Sequence, residues 1–257
     1  MKSKQILSEV RLNSRLQLAN PTVPIILILI PLIMAPFMLP AAKTQLIAQG
    51  YFHANGSEQV IPGLAVLFSF FSIQLIIQMF FDETVWNTWD RQQVSATSLG
   101  EIITGKVLVA YLIQLVQLSI IILLSIWLFN FHLNGSWIAF VAIIILFSAV
   151  LTCFGTMIVS WATSANIALS LSNLLGILLA GLGGSLSPTN TFPRWAKAIA
   201  QFDPAYWALS AIRKVSLNHA SFGTINHSLI ILLSMAIIFG VVSLIGFKYQ
   251  PLTEGNH

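Results

Sequence analysis

The chain has 257 residues, of which 56% are hydrophobic and 8% charged, with mean hydropathy +0.85 and a formal net charge of +4. A soluble domain carries about a quarter of its residues charged, so there are too few charges here to clothe an exterior facing water. The basic excess is no nucleic-acid footprint, because Lys and Arg are thinly spread and no patch interleaves them with aromatics; in an apolar chain it reflects the positive-inside bias.

Residues 107–193 and 215–247 contain no Asp, Glu, Lys or Arg. A membrane span needs roughly 20 apolar residues, so the chain reads as an all-α integral membrane protein with six spans. Residues 1–20 come first. Their charges are spread over 15 residues with no small-residue cleavage site after the first apolar run, which is unlike a cleavable signal peptide. Lys4, Ser8, Arg11 and Arg15 share one helical face and Ile6, Val10, Leu12 and Leu16 cover much of the rest. That pattern suits a helix lying in the headgroup layer, with a short solvated helix as the alternative. The first span, 22–41, is interrupted by Pro31 and Pro36 and expected to kink. A polar loop through "HANGSEQ" leads to the second, 60–81.

Residues 81–106 break the apolar pattern. Of the 20 Asp, Glu, Lys and Arg residues, six fall here: Asp82, Glu83, Asp90, Arg91, Glu101 and Lys106. Trp86 and Trp89 flank the charges. Two readings of that pair stand side by side: anchors for a soluble partner, or an aromatic belt at the headgroup level. The third, fourth and fifth spans are read at 103–130, 137–160 and 166–187, and the sixth at 228–247 after a polar stretch, 188–227. Basic residues in the N-terminal tail (Lys2, Lys4, Arg11, Arg15) outnumber Lys43 in the next loop. The N-terminus is therefore expected in the cytoplasm. Six spans then return the C-terminus to the same side and put 82–102 there too.

Within the spans, Ala168, Ser172, Gly176, Ala180 and Gly184 recur every four residues, a spacing that lets helix backbones approach closely. The neighbour is a helix of the same chain or a dimer seam. Gln74 and Gln78, and likewise Gln114 and Gln117, lie about one turn apart; amides in lipid must find partners, on other helices or along a wet path. Cys153 lies in an apolar run, and none of the five histidines pairs with Cys, Asp or Glu at metal-ligand spacing, so no metal site is expected. Asp203 before Pro204 shapes a turn. No catalytic constellation emerges.

The segment "DETVWNTWDRQQVSATSLGEIITGK" resembles the region between the second and third spans of ABC-2 type permeases, the membrane subunits of bacterial ABC exporters. Glu83, Thr88, Trp89, Asp90, Arg91, Glu101, Ile102, Ile103, Gly105 and Lys106 fit the family's pattern; Asn87 stands where Gly is usual and Ala96 where Pro is. "FPRWAKAIAQFDPAYWALSAIRKVSL" is similar to the family's segment before the last span, through Pro193, Trp195, Pro204, Tyr206 and Arg213. The resemblance implies one ABC-2 type transmembrane domain over 1–257. It would comprise an elbow helix over 1–20, a coupling helix over 82–99 and an outer re-entrant helical hairpin over 188–227. Glu83, Trp86, Thr88, Trp89, Asp90, Arg91, Glu101 and Lys106 would form the ATPase-coupling set. It also implies partners: two ABC ATP-binding subunits and a second permease chain, identical or homologous, in the bacterial cell membrane. The chain has no G-x-x-x-x-G-K-[ST] phosphate loop, so no cofactor is expected in it, ATP and Mg belonging to the partner. The cargo expected of such apolar spans is an amphipathic or hydrophobic peptide, lipid or drug. Two other functions compete: a membrane-embedded enzyme working on lipid-linked substrates at the outer interface, and a non-transporting sensor or immunity subunit.

Overall fold

The computed structural model describes the backbone of residues 2–85 and 99–249, and side chains over 6–81 and 100–249. Among these residues every regular element is helical, and six helices are long and apolar enough to cross a membrane. That outcome follows from the solvent. Hydrocarbon offers no partner to backbone N–H and C=O groups, and only helices and closed barrels satisfy them internally. Helix α1 (Lys2–Ala19) precedes α2 (Thr22–Ala48), the first span. The second span is made of two pieces, α3 (Ser57–Phe71) and α4 (Ile73–Val85). The third is α5 (Leu99–Phe129), the fourth α6 (Trp137–Trp161) and the fifth α7 (Ala165–Leu182). A 3-10 turn at Thr189–Thr191 leads to α8 (Arg194–Ala200) and α9 (Pro204–Leu217), and the sixth span is α10 (Phe222–Tyr249).

Polar residues mark the starts. Ser136 accepts from the Ala139 N–H ahead of α6, and Ser164 from the Ile167 N–H ahead of α7; each satisfies a donor left free at a helix N-terminus. The second span sits at the centre, with the fourth beside it, whereas the first, fifth and sixth leave most of their surface outside the chain. α10 lies along α6 in the most extensive helix pair of the fold. There Phe239 packs on Phe154 with ring centroids 5.3 Å apart, and the Trp161 indole donates to the Val242 carbonyl.

Several boundaries differ from the sequence expectation. α2 continues as one helix through Pro31, Pro36 and Pro40 to Ala48, where a span ending near 41 was expected. The interruption falls instead in the second span at Ser72, a residue no proline marks. The fifth span stops at Leu182 and the sixth starts at Phe222. The polar stretch between them is helical for much of its length.

Candidate functional site

The bundle has two polar ends. At one, α1 lies against the start of α5. Ile6, Glu9, Val10 and Asn13 turn towards the protein, while Leu7, Ser8, Arg11, Leu12, Arg15, Leu16 and Leu18 are exposed. Ile6 and Val10, expected at the headgroup surface, thus serve the helix contact, and Leu7 and Leu18 join the exposed apolar set. The closeness needs Gly105: a Cβ there would sit 2.6 Å from the Glu9 Cβ.

Of the residues the resemblance assigns to coupling, Trp86, Thr88, Trp89, Asp90 and Arg91 lie outside the described residues, and Glu83 is described only as backbone in the last turn of α4. Glu101 and Lys106 are placed: both are buried within α5. The Lys106 ammonium donates to the Met79 carbonyl at 3.0 Å and stands 4.8 Å over the Phe80 ring, which stacks on Phe247. Lys106 therefore ties the third span to the last turns of the second, next to the charged segment, and Phe80 carries that contact to the sixth.

Mid-bundle, Gln74, Gln114 and Gln117 find partners on other helices. Gln114 donates to the Ser69 carbonyl at 3.0 Å and its own carbonyl accepts from the Ser72 hydroxyl; Gln117 donates to the Phe68 carbonyl at 3.3 Å. These contacts lie where α3 ends; the Phe68 carbonyl also keeps its helical bond from the Ser72 N–H. Ser69 and Ser72 also bond back to the Ala65 and Ser69 carbonyls, a local competition that loosens a helix. Gln74 donates to Asn173 on α7 at 2.8 Å. The small-residue row of α7 faces this central span: Ala168, Ser172, Gly176 and Ala180 are buried, with Gly176 against Phe70. Gly184 lies past the helix, with φ of +92°.

At the opposite end lie the short helix α8 and, after residues 201–203, the helix α9. Pro193 stands at the N-cap position of α8, and Trp195 and Phe202 are exposed. Asp203 caps α9, its Oδ1 accepting from the Ala205 N–H at 2.8 Å, with Pro204 opening the helix; Pro suits that position because its missing N–H is not needed there. Asp203 Oδ2 is buried without a partner, and burial, offset in part by the Ala205 N–H, pushes the carboxyl up to about 8. Tyr206 packs edge-on to Trp207 at 5.2 Å. Arg213 donates to the Gly184 carbonyl at 2.8 Å, and burial lowers its pKa to about 10. The loop after α7 thus runs between α9 and α3, where any Cβ on Gly63 would overlap the Ser185 carbonyl. Tyr51 donates to Asn218, and Asn55 donates to the Phe129 and Asn130 carbonyls, binding the remaining loops of this end together.

Sequence reasoning missed the break at Ser72, the burial of Lys106, and the contribution of Gln49, Gln59 and Lys214 to a cavity beside Arg213. Only the run of Ser69 and Ser72 among phenylalanines offered a local signal of the first.

A protein-family model described as "ABC-2 type transporter" matches residues 5–217. Among curated proteins the chain is similar to the linearmycin resistance permease protein LnrN of Bacillus subtilis (strain 168), with 26% identity over 185 residues, covering 71% of this chain and 48% of that protein. It is also similar to the probable multidrug ABC transporter permease YbhR of Escherichia coli (strain K12), with 22% identity over 193 residues, 73% of this chain and 52% of that protein. The chain spans about half the length of the curated relatives it matches.

Proposed function

Since the chain belongs to the ABC-2 type transporter family, we propose that it is the membrane permease subunit of an ATP-driven exporter whose ATPase is a separate chain. The observation that carries this reading is the family match over 5–217. Six helices long and apolar enough to cross a membrane support it. ATP and Mg would be held by the partner ATPase, two copies of which would serve two permease chains. Residues 82–99 would seat in a groove on that ATPase. Glu83, Trp86, Thr88, Trp89, Asp90 and Arg91 would make the contact, and Lys106 would pass the movement into the bundle through Met79 and Phe80.

In this reading α1 is an elbow helix, exposing Leu12, Leu16 and Leu18 to the cytoplasmic headgroup layer and Arg11 and Arg15 to anionic lipid. Both termini are cytoplasmic in a bacterial cell membrane, and the α8–α9 hairpin faces outward. The cargo is an amphipathic or hydrophobic molecule. Relatives named for linearmycin resistance and for multidrug transport support that class, as do spans of low polarity.

Affinity purification of the chain from its native membrane in mild detergent tests the reading. An ATP-binding subunit in stoichiometric amount is expected, and it should be lost when Glu83, Trp89 and Asp90 are replaced together. A solo oligomer, under conditions in which other ABC complexes stay intact, would overturn it.

A further inference from the structure

At the α8–α9 end, α9 and the facing loops enclose a cavity of about 220 Å³. Tyr206, Ser210, Arg213 and Lys214 line one wall, at the spacing that puts residues on a single face of a helix. Gln59 and Asn190 contribute to the facing walls. Two cations, hydroxyls and amides line it, and no lining residue is a carboxylate. Of the two carboxylates nearest in sequence, Glu58 accepts from the Gly56 N–H and Asp203 through Oδ1 from the Ala205 N–H.

The cations hold donors in reserve. A guanidinium has five N–H donors; the Gly184 carbonyl takes one, and the buried Nε has no partner. Desolvation without a counter-charge is what lowers the Arg213 pKa, so an anion arriving beside it would relieve a cost already present in the fold. Lys214, one residue on, brings three more donors. The same end exposes Trp195 and Phe202, amphipathic and apolar groups of the kind found at headgroup depth. We propose that this cavity binds a phosphate group, presented either by the headgroup of an anionic lipid of the adjacent leaflet or by a soluble phosphate. Arg and Lys together meet that chemistry, a planar fork and a point charge for shared oxygens. The proposal does not rest on the transport reading.

The test uses the full chain in neutral detergent, with its unfolding midpoint followed by intrinsic tryptophan fluorescence. Three additions are compared: dihexanoylphosphatidylglycerol, inorganic phosphate, and dihexanoylglycerol, which keeps the tails and lacks the phosphate. Stabilisation by the first or second, and none by the third, is expected. A lower half-saturating concentration for the phospholipid identifies a lipid as the source, and equal potency identifies a soluble anion. Lys214→Gln should weaken the apparent affinity by about tenfold or more, the loss of one charge-assisted hydrogen bond. Arg194→Gln, at the same end but outside the cavity, should not. Ser210→Leu, which fills the cavity and keeps both cations, should match Lys214→Gln and serves if that variant fails to fold. Equal stabilisation by dihexanoylglycerol, no stabilisation at all, or equal loss in Arg194→Gln would each overturn the proposal.

Discussion

Asp203 is a helix cap with one oxygen satisfied and the other buried and bare. Its pKa is raised from 3.8 to about 8, so between those values the folded chain keeps a proton that the unfolded chain releases. The stability this protonation contributes is complete below 3.8 and is lost as pH rises through about 8. The purified protein should therefore unfold at a lower midpoint as pH climbs through that window. Asp203→Asn keeps a capping oxygen and cannot ionise, and its midpoint should change less over the same range. A variant as pH-sensitive as the parent would show that another group sets the dependence. Lys106 is a fully buried side chain whose ammonium meets, among its partners, a carbonyl and an aromatic face. Lys106→Ala should cost about 2–4 kcal/mol through the void it leaves, and Lys106→Met, which keeps the stem volume, should recover a good part of that on denaturation in mixed micelles.

At the scale of elements, the second span is a helix in two pieces whose joint is secured by its neighbour. Gln114 holds both the Ser69 carbonyl and the Ser72 hydroxyl. In Gln114→Leu both groups lose their interhelical bond and keep only the one to each other, and two lost hydrogen bonds cost about 1–3 kcal/mol together. Gln114→Glu keeps the acceptor for Ser72 but loses the donor to Ser69, so it should not rescue the fold. Thermal unfolding of the two variants beside the parent decides whether the joint depends on this amide. Contact between α1 and α5 depends on the missing side chain at Gly105. Gly105→Leu should push α1 away from α5, read as faster trypsin cleavage at Arg11 and Arg15 with the spans left intact. An unchanged cleavage rate would mean that α1 tolerates the displacement in place.

The whole molecule is a bundle with its least exposed helix at the centre and broken there. Three outer spans show apolar surface, as a chain does when its surroundings are lipid or further membrane subunits. Its ends are chemically unlike: α1 against the start of α5 at one, α8, α9 and the cationic cavity at the other. The proposed topology puts the first in the cytoplasm. In a Cys153→Ser background, an impermeant maleimide should label Asn134→Cys in intact cells, and Ser8→Cys only after permeabilisation. Labelling in the reverse order would invert the bundle and the proposed placement of the ATPase with it.

The amino-acid sequence by itself determined the number of spans, their approximate places and the position of the charged segment between the second and third. Those are consequences of local apolar length and of charge, which a bilayer reads residue by residue. The four-residue row in α7 was legible for the same reason, since it lies within a few turns of chain, whereas Asp203, read as shaping a turn, caps α9. Partners distant along the chain were decided only by the tertiary structure. The break at Ser72 is held by an amide 42 residues away, Lys106 is buried because Met79 and Phe80 meet it there, and the cavity draws its wall from residues 46–59, 188–190 and 206–218. Periodicity shows which face of a helix is apolar. Which polar groups end up within 3 Å of each other depends on how the helices pack.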